Sequence, residues 1–145
     1  MTEILDPQEG EVICDPTCGS GGFLIKAFEY VREKIEADIR SKKDSLRLSI
    51  EGNDYDALPE DKQVKISHSI DKMQAALNTE LDTGIEGSRM YQLSRNCIYG
   101  TDANPRMART SKMNMIMHGD GHGGVHHHDG CLILMVFLKR DLTLS

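Results

Sequence analysis

Between residues 22 and 40, apolar side chains fall at Phe23, Leu24, Ala27, Phe28, Val31, Ile35 and Ile39. Steps of three and four predict a helix from Phe23 to about Lys43. Glu29, Glu33 and Glu36 alternate with Arg32, Lys34 and Arg40, which predicts a solvated outer face. Just upstream, Glu11-Val12-Ile13-Cys14 has the character of a short buried strand, expected over 11–15. Strand character returns from Asn96 to Asp102, followed by a turn at Ala103-Asn104-Pro105. Met107 to His118 then reads as a second helix, with Ala108, Met113, Ile116 and Met117 available to the core. The methionines are read as core filler. A short strand is expected near Val125–His128, and Cys131 to Leu138 is a solid apolar run of strand length.

The stretch 41–95 is polar and carries no legible chemistry. Pro59 is a plausible first-turn residue of a helix over 59–78. Val64, Ile66, Ile70, Met73 and Leu77 fit one face of it. The run reads as an insertion between the first helix and the second strand. The pattern becomes strand, glycine turn, helix, insertion, strand, aspartate turn, helix, strand. That is the front half of a doubly wound α/β domain.

A chain of 145 residues is expected to form one domain with a real core. The net charge of −6 argues against nucleic-acid binding through bulk positive charge. No run approaches the roughly 18 apolar residues of a membrane span. The acidic, polar start MTEILDPQEGE does not read as a signal peptide. Cys14, Cys18, Cys97 and Cys131 lie scattered without zinc-like pairing, as free thiols in a reducing cytoplasm would.

Chemistry gathers at the first turn, Asp15-Pro16-Thr17-Cys18-Gly19-Ser20-Gly21-Gly22-Phe23. A glycine turn from strand to helix lets a ligand approach the backbone, because no β-carbon intervenes. The spacing is not the Gly-x-Gly-x-x-Gly of dinucleotide sites, and Asp15 would repel a pyrophosphate. An acid there suits a ligand with a positive end. S-adenosylmethionine has an ammonium and a sulfonium, with a carboxylate that backbone N–H groups can receive. A tight turn with no ligand is the plain alternative. Asp102 closes the second strand, where an acid in such folds takes ribose hydroxyls, although it lies much farther from the turn than the usual ~20 residues. The insertion accounts for the excess. Asp129 follows the third strand, where an acid could accept from an adenine amine.

The string DPTCGSGGF resembles the first motif of N6-adenine DNA methyltransferases, and more narrowly the modification (HsdM-type) subunit of type I restriction–modification systems. YGTDANPRMARTSKMNMIMHG resembles that family's second motif, which leads into a helix ending Asn-x-x-x-His-Gly. HHHDG is similar to its third. The resemblance runs over about 11–40 and 96–130. It implies a partial Rossmann-like, S-adenosylmethionine-dependent methyltransferase fold of about three parallel strands, and transfer of methyl to the exocyclic amine of a flipped adenine. It also implies that Asp15, Thr17, Gly19 and Gly21, with Pro16 and Phe23, hold the methionine end. Asp102, with Ala103, would hold the ribose, and Asp129 the adenine amine. DNA, a specificity subunit and a restriction subunit are the implied partners. The alternative is a Rossmann-like module that binds a nucleoside or a partner subunit without chemistry.

That family's catalytic Asn-Pro-Pro-aromatic motif does not occur in this sequence; Asn104-Pro105 is followed by Arg106. The expectation is therefore a truncated, inactive fragment with no catalytic residue. The tail LMVFLKRDLTLS does not resemble the family and reads as a frameshifted end beginning near Cys131. A truncated sheet exposes an edge, so self-association is plausible. His118, His122, His126, His127 and His128 could supply metal ligands with Asp120 or Asp129, but a histidine-rich loop near the cofactor is the preferred reading, with no metal.

Overall fold

The computed structural model describes residues 2–51, 59–119 and 124–130. A short helix α1 (Thr2–Leu5) precedes strand β1 (Ile13–Asp15), and α2 (Gly22–Glu51) follows the glycine turn. Helices α3 (Glu60–Thr79) and α4 (Arg89–Gln92) and one π-helical turn (Leu93–Cys97) lead to β2 (Ile98–Asp102). Helix α5 (Pro105–Met117) connects β2 to β3 (Val125–His127). The strands form one parallel sheet in the order β1-β2-β3. Parallel neighbours need long crossovers, and the helices supply them. This is the α/β arrangement expected of the sequence. The run Cys131–Leu138 lies outside the described residues, as does most of the expected loop before Pro59.

Helix α2 is the core's main wall. Leu24, Ala27, Phe28, Val31, Ile35 and Ile39 are all buried, and Phe23 packs against them half-buried. They meet Met90, Leu93, Ile98, Met115 and Val125 from the later elements. The helix runs beyond Lys43 to Glu51 because no glycine or proline interrupts 23–51, and straight-chain residues such as Lys42, Lys43 and Arg47 favour the helix without needing burial. Its outer charges are partly paired: Arg32 with Glu36 at 2.8 Å and Lys26 with Glu29 at 2.9 Å.

Several expectations are corrected. Strand β1 is Ile13–Asp15 rather than a buried strand over 11–15: Glu11 and Val12 precede it exposed, and within it Cys14 is exposed because, among the described residues, no strand covers its outer side. Strand β2 begins at Ile98, not Asn96, because the π-helical turn carries Leu93, Ser94 and Cys97 into the interior first. Pro59 sits at the N-cap of α3 rather than inside its first turn. Along α3, Val64 and Met73 face solvent, while Ile66, Ile70 and Leu77 are half-buried. The largest correction concerns α5. Ala108 is buried as expected, but Met113, Ile116 and Met117 are exposed, and the inner stripe is Ala108, Ser111 and Met115. Met107 is also exposed, so core filling describes Met90 and Met115 but not these methionines. Among the described residues, no helix is long and apolar enough to cross a membrane.

Outside the sheet, Arg89 gathers three segments. Its Nε donates to Glu9 Oε1 at 2.7 Å, its Nη2 to Glu9 Oε2, and its Nη1 to Asp38 Oδ2 at 2.6 Å. Lys42 reaches the same Asp38 oxygen at 2.9 Å. The Arg89 hydrogen bond holds the Glu9 carboxyl below its ordinary range. Lys42, then Arg89, do the same for Asp38. Lowered carboxylate pKa values contribute stability above the ordinary carboxylate range, and it is lost as pH falls through the lowered values. Arg89→Met should therefore lower the thermal midpoint by a few degrees near neutral pH and by much less at pH 3. Melting curves of both proteins at the two pH values test this; equal shifts would contradict the linkage.

Candidate functional site

The parallel register sets the geometry of the sheet's carboxyl edge. Asp15, the last residue of β1, lies opposite Gly100, so Thr101 and Asp102 extend beyond the end of β1. Asp102 in turn lies opposite His127, and Asp129 follows two residues later. All three acids therefore occur at the carboxyl ends of consecutive parallel strands. Asp15 and Asp102 are half-buried and Asp129 is exposed.

The glycine turn is bonded to the overhanging end of β2. The Cys18 amide donates to the Thr101 carbonyl at 3.0 Å, and the Thr101 hydroxyl donates to the Pro16 carbonyl at 3.1 Å. The Gly19 amide donates to Asp102 Oδ2 at 3.0 Å. The other Asp102 oxygen accepts from the Asn104 amide at 2.7 Å. Asp15 accepts from the Thr17 amide at 3.0 Å, an Asx-type bond at the entrance of the turn. Asp15 and Asp102 thus organise loop backbone. A carboxylate has about four lone-pair sites, so both retain capacity to accept from a ligand.

Gly19 and Gly21 have φ of +52° and +84°, the left-handed region where glycine is favoured. Gly21 also lies against α5, where a β-carbon on it would overlap Ser111 Oγ. At Gly19 and Gly22 a β-carbon would meet nothing within 4 Å, so the outer side of the turn opens onto free space. The turn leads into the N-terminus of the 30-residue α2, whose first amides have no intrahelical acceptor. Open space, orphan N–H groups and nearby carboxylates together suit a ligand with both an anionic group and cationic or hydroxyl donors.

The third strand closes on the same turn. A β-carbon on buried Gly130 would overlap the Pro16 carbonyl, which places Asp129-Gly130 against the DPT segment. His127 Nε2 donates to the Ala103 carbonyl at 3.1 Å, tying β3 to the residue after Asp102. Pro16 is half-buried, Thr17 and Ala103 are exposed, and Phe23 packs on the core edge. Burial raises the Cys14 and Cys18 thiols, so no thiolate stands in this region at neutral pH. Among the described residues, no group of three His, Cys, Asp or Glu is placed to hold a metal ion. Two cavities, of about 500 and 470 Å³, lie elsewhere: between α2 and α3 beside Leu46 and Met73, and beside Arg89 and Asn96. Neither includes the turn.

Nothing in the sequence pattern marks Thr101, Ser111, Asn114 and His127 as partners of this edge. Asn114 and His118 were visible only as the ends of an Asn-x-x-x-His-Gly string, without a contact to explain them.

An α/β protein with a glycine turn and acids at the carboxyl edge of a parallel sheet is the class that these elements define. Residues 1–64 match the family model described as N-6 DNA Methylase. The chain is also 39% identical over 59 residues to the type I restriction enzyme EcoEI methylase subunit of Escherichia coli. That stretch is 41% of this chain and 12% of the relative, so the match spans a small part of the relative's length. No solved structure matches. The match to the N-6 DNA Methylase model thus covers β1, the glycine turn and α2.

The two left-handed glycines differ in a measurable way. Gly21→Ala combines backbone strain with overlap on Ser111, and should destabilise by about 2–4 kcal/mol. Gly19→Ala meets open space and should cost only about 1–2 kcal/mol for its backbone conformation. Urea unfolding of both variants tests the order; a reversed order would contradict the packing of α5 on the turn.

Proposed function

We propose that this chain carries the S-adenosylmethionine-binding edge of a Rossmann-like domain, as part of a DNA adenine-N6 methyltransferase subunit of a type I restriction–modification system. The observation that supports this most is the placement of Asp15, Asp102 and Asp129 at the ends of consecutive parallel strands, around an open glycine turn. The first amides of α2 would receive the ligand's carboxylate. Asp15, Thr17, Gly19 and Gly21, flanked by Pro16 and Phe23, would hold its methionine end. Asp102, beside Ala103, would accept from the ribose hydroxyls, and Asp129 from the adenine amine. When bound, the cofactor supplies a methyl group on a positively charged sulfur, and the carboxylates favour that charge over a pyrophosphate. DNA and the specificity and restriction subunits are the partners this reading implies.

A second reading, a nucleoside-binding or subunit-association module without chemistry, is favoured by one observation. The sequence has no Asn-Pro-Pro-aromatic run. Its Asn104-Pro105 has another use: Asn104 caps α5 by accepting from the Arg106 amide at 2.9 Å, and Pro105 opens the helix. The pair is therefore committed to helix capping and does not present an amide to a target base.

Titration calorimetry separates these readings from an empty scaffold. S-adenosylmethionine should bind the purified chain, and Asp102→Ala should weaken binding by about tenfold or more, for the loss of charge-assisted hydrogen bonds. Absence of binding by the unaltered chain would refute the proposal. The same chain, given S-adenosylmethionine and adenine-containing duplex DNA, should transfer no methyl; methylated adenine in the product would refute the non-catalytic assignment of Asn104-Pro105.

A further inference from the structure

The Asn-x-x-x-His-Gly string at the end of α5 contacts the glycine turn and α2. Asn114 Nδ2 donates to the Ser20 carbonyl at 3.0 Å, across 94 residues of sequence. Ser111, one turn earlier on the same side of α5, is fully buried against Gly21, and its hydroxyl has no hydrogen-bond partner. The Cys18 thiol is its polar neighbour, too weak a group to satisfy it fully, and burial pushes that thiol up. One turn later, His118 Nδ1 donates to Glu29 Oε1 of α2 at 3.1 Å. Ser111 and Asn114 thus lie three residues apart on α5, with His118 four further on at its C-cap, and Ser111 also belongs to the buried stripe of Ala108 and Met115.

We propose that Asn114 is a positioning residue for the cofactor turn, with Ser111 and His118 as its supports. This rests on the reading of the turn as the site of the methionine end. The turn is bonded on one side to β2 through Cys18 and Gly19. On its other side, Ser20 and Gly21 have α5 as their neighbour. The Gly21 amide donates back to the Cys18 carbonyl at 2.7 Å. The peptide between Ser20 and Gly21 is therefore fixed at both ends, at its oxygen by Asn114 and at its N–H by Cys18. This peptide lies one residue ahead of Gly22, the first residue of α2. Its orientation sets the direction of the amides that follow, which are those a ligand carboxylate would meet. The Ser111 side chain fills the space beneath Gly21 and keeps the turn from sinking toward α5. The His118–Glu29 bond holds the two helices at this spacing farther along. Asn114 reaches Ser20 rather than the ligand, so its effect is on the shape of the methionine end and not on the ribose or adenine ends.

The test uses Asn114→Ala and Asn114→Asp in the full chain. Asp has the same shape but no donor. S-adenosylmethionine affinity should fall roughly five- to tenfold in both variants, for one lost hydrogen bond. Affinity for adenosine, which lacks the methionine end, should change less than about twofold, within the range left by a contact that is not made. A general structural defect would weaken both ligands alike, and that result would overturn the proposal, as would unchanged S-adenosylmethionine affinity. Amide hydrogen exchange on the ligand-free variants gives a second measure that does not need binding. Exchange should accelerate at residues 18–22 and remain unchanged at Leu24–Ile39. Unaltered exchange at the turn would overturn the positioning role even if the unaltered chain bound no S-adenosylmethionine, an outcome that by itself refutes only the underlying reading.

Discussion

The hydrogen bond from the Gly19 amide to the Asp102 carboxylate joins residues 83 apart, and the shape of the carboxyl edge depends on it. It exists because β2 overshoots β1. With Asp15 opposite Gly100, the last two residues of β2 have no partner on β1. The chain leaving β1 bends across that overhang, and Cys18 and Gly19 take up the bonding that a longer β1 would have supplied. A left-handed Gly19 allows the bend without a β-carbon penalty. The turn is thus an extension of the sheet's hydrogen bonding rather than a loop resting on it.

The same arrangement explains why acids occupy this edge even without a ligand. Backbone amides leaving strand ends and starting helices lack carbonyl partners, and a carboxylate accepts from several at once. Asp15 serves the Thr17 amide, and Asp102 serves Gly19 and Asn104. A turn organised around carboxylates needs no bound group to hold its shape. Its electrostatic character nevertheless remains negative on the strand side and positive at the helix amides, which is the polarity of a zwitterionic ligand's complement.

Much of this was legible in the sequence, and what was not has physical causes. Helix α2 was readable because its apolar positions repeat over five turns, and its burial follows that reading from Leu24 to Ile39. The succession of strands and helices along the chain and the turn residues were readable from glycine and aspartate punctuation. The phase of α5 was not. Hydrophobicity pointed to Met113, Ile116 and Met117, whereas the buried stripe is Ala108, Ser111 and Met115. Ser111 lies inside because α5 approaches the glycine turn too closely for a larger side chain at that position. Close approach is a property of two segments together, so a pattern within one of them does not reveal it. The π-helical turn before β2 was hidden for a similar reason: Leu93 and Cys97 are carried inward by a local change in helix pitch that a steady period of 3.6 does not anticipate.

These couplings bear on how far a partial resemblance extends. The matched family model covers residues 1–64, which include β1, the turn and α2. Yet the turn's conformation is set from outside that stretch, by Thr101 and Asp102 at the end of β2, Ser111 and Asn114 on α5, and Gly130 beyond β3. A chain that kept only the matched stretch would lose each of these partners. Its glycines would then widen the range of accessible turn conformations, since glycine is the residue least restricted by its own sterics. The motif therefore specifies a flexible segment, and the second half of the chain selects its conformation. The shape of the edge is a joint property of two stretches that the crossover separates, and the hydrogen bonds across the top of the sheet are what join them.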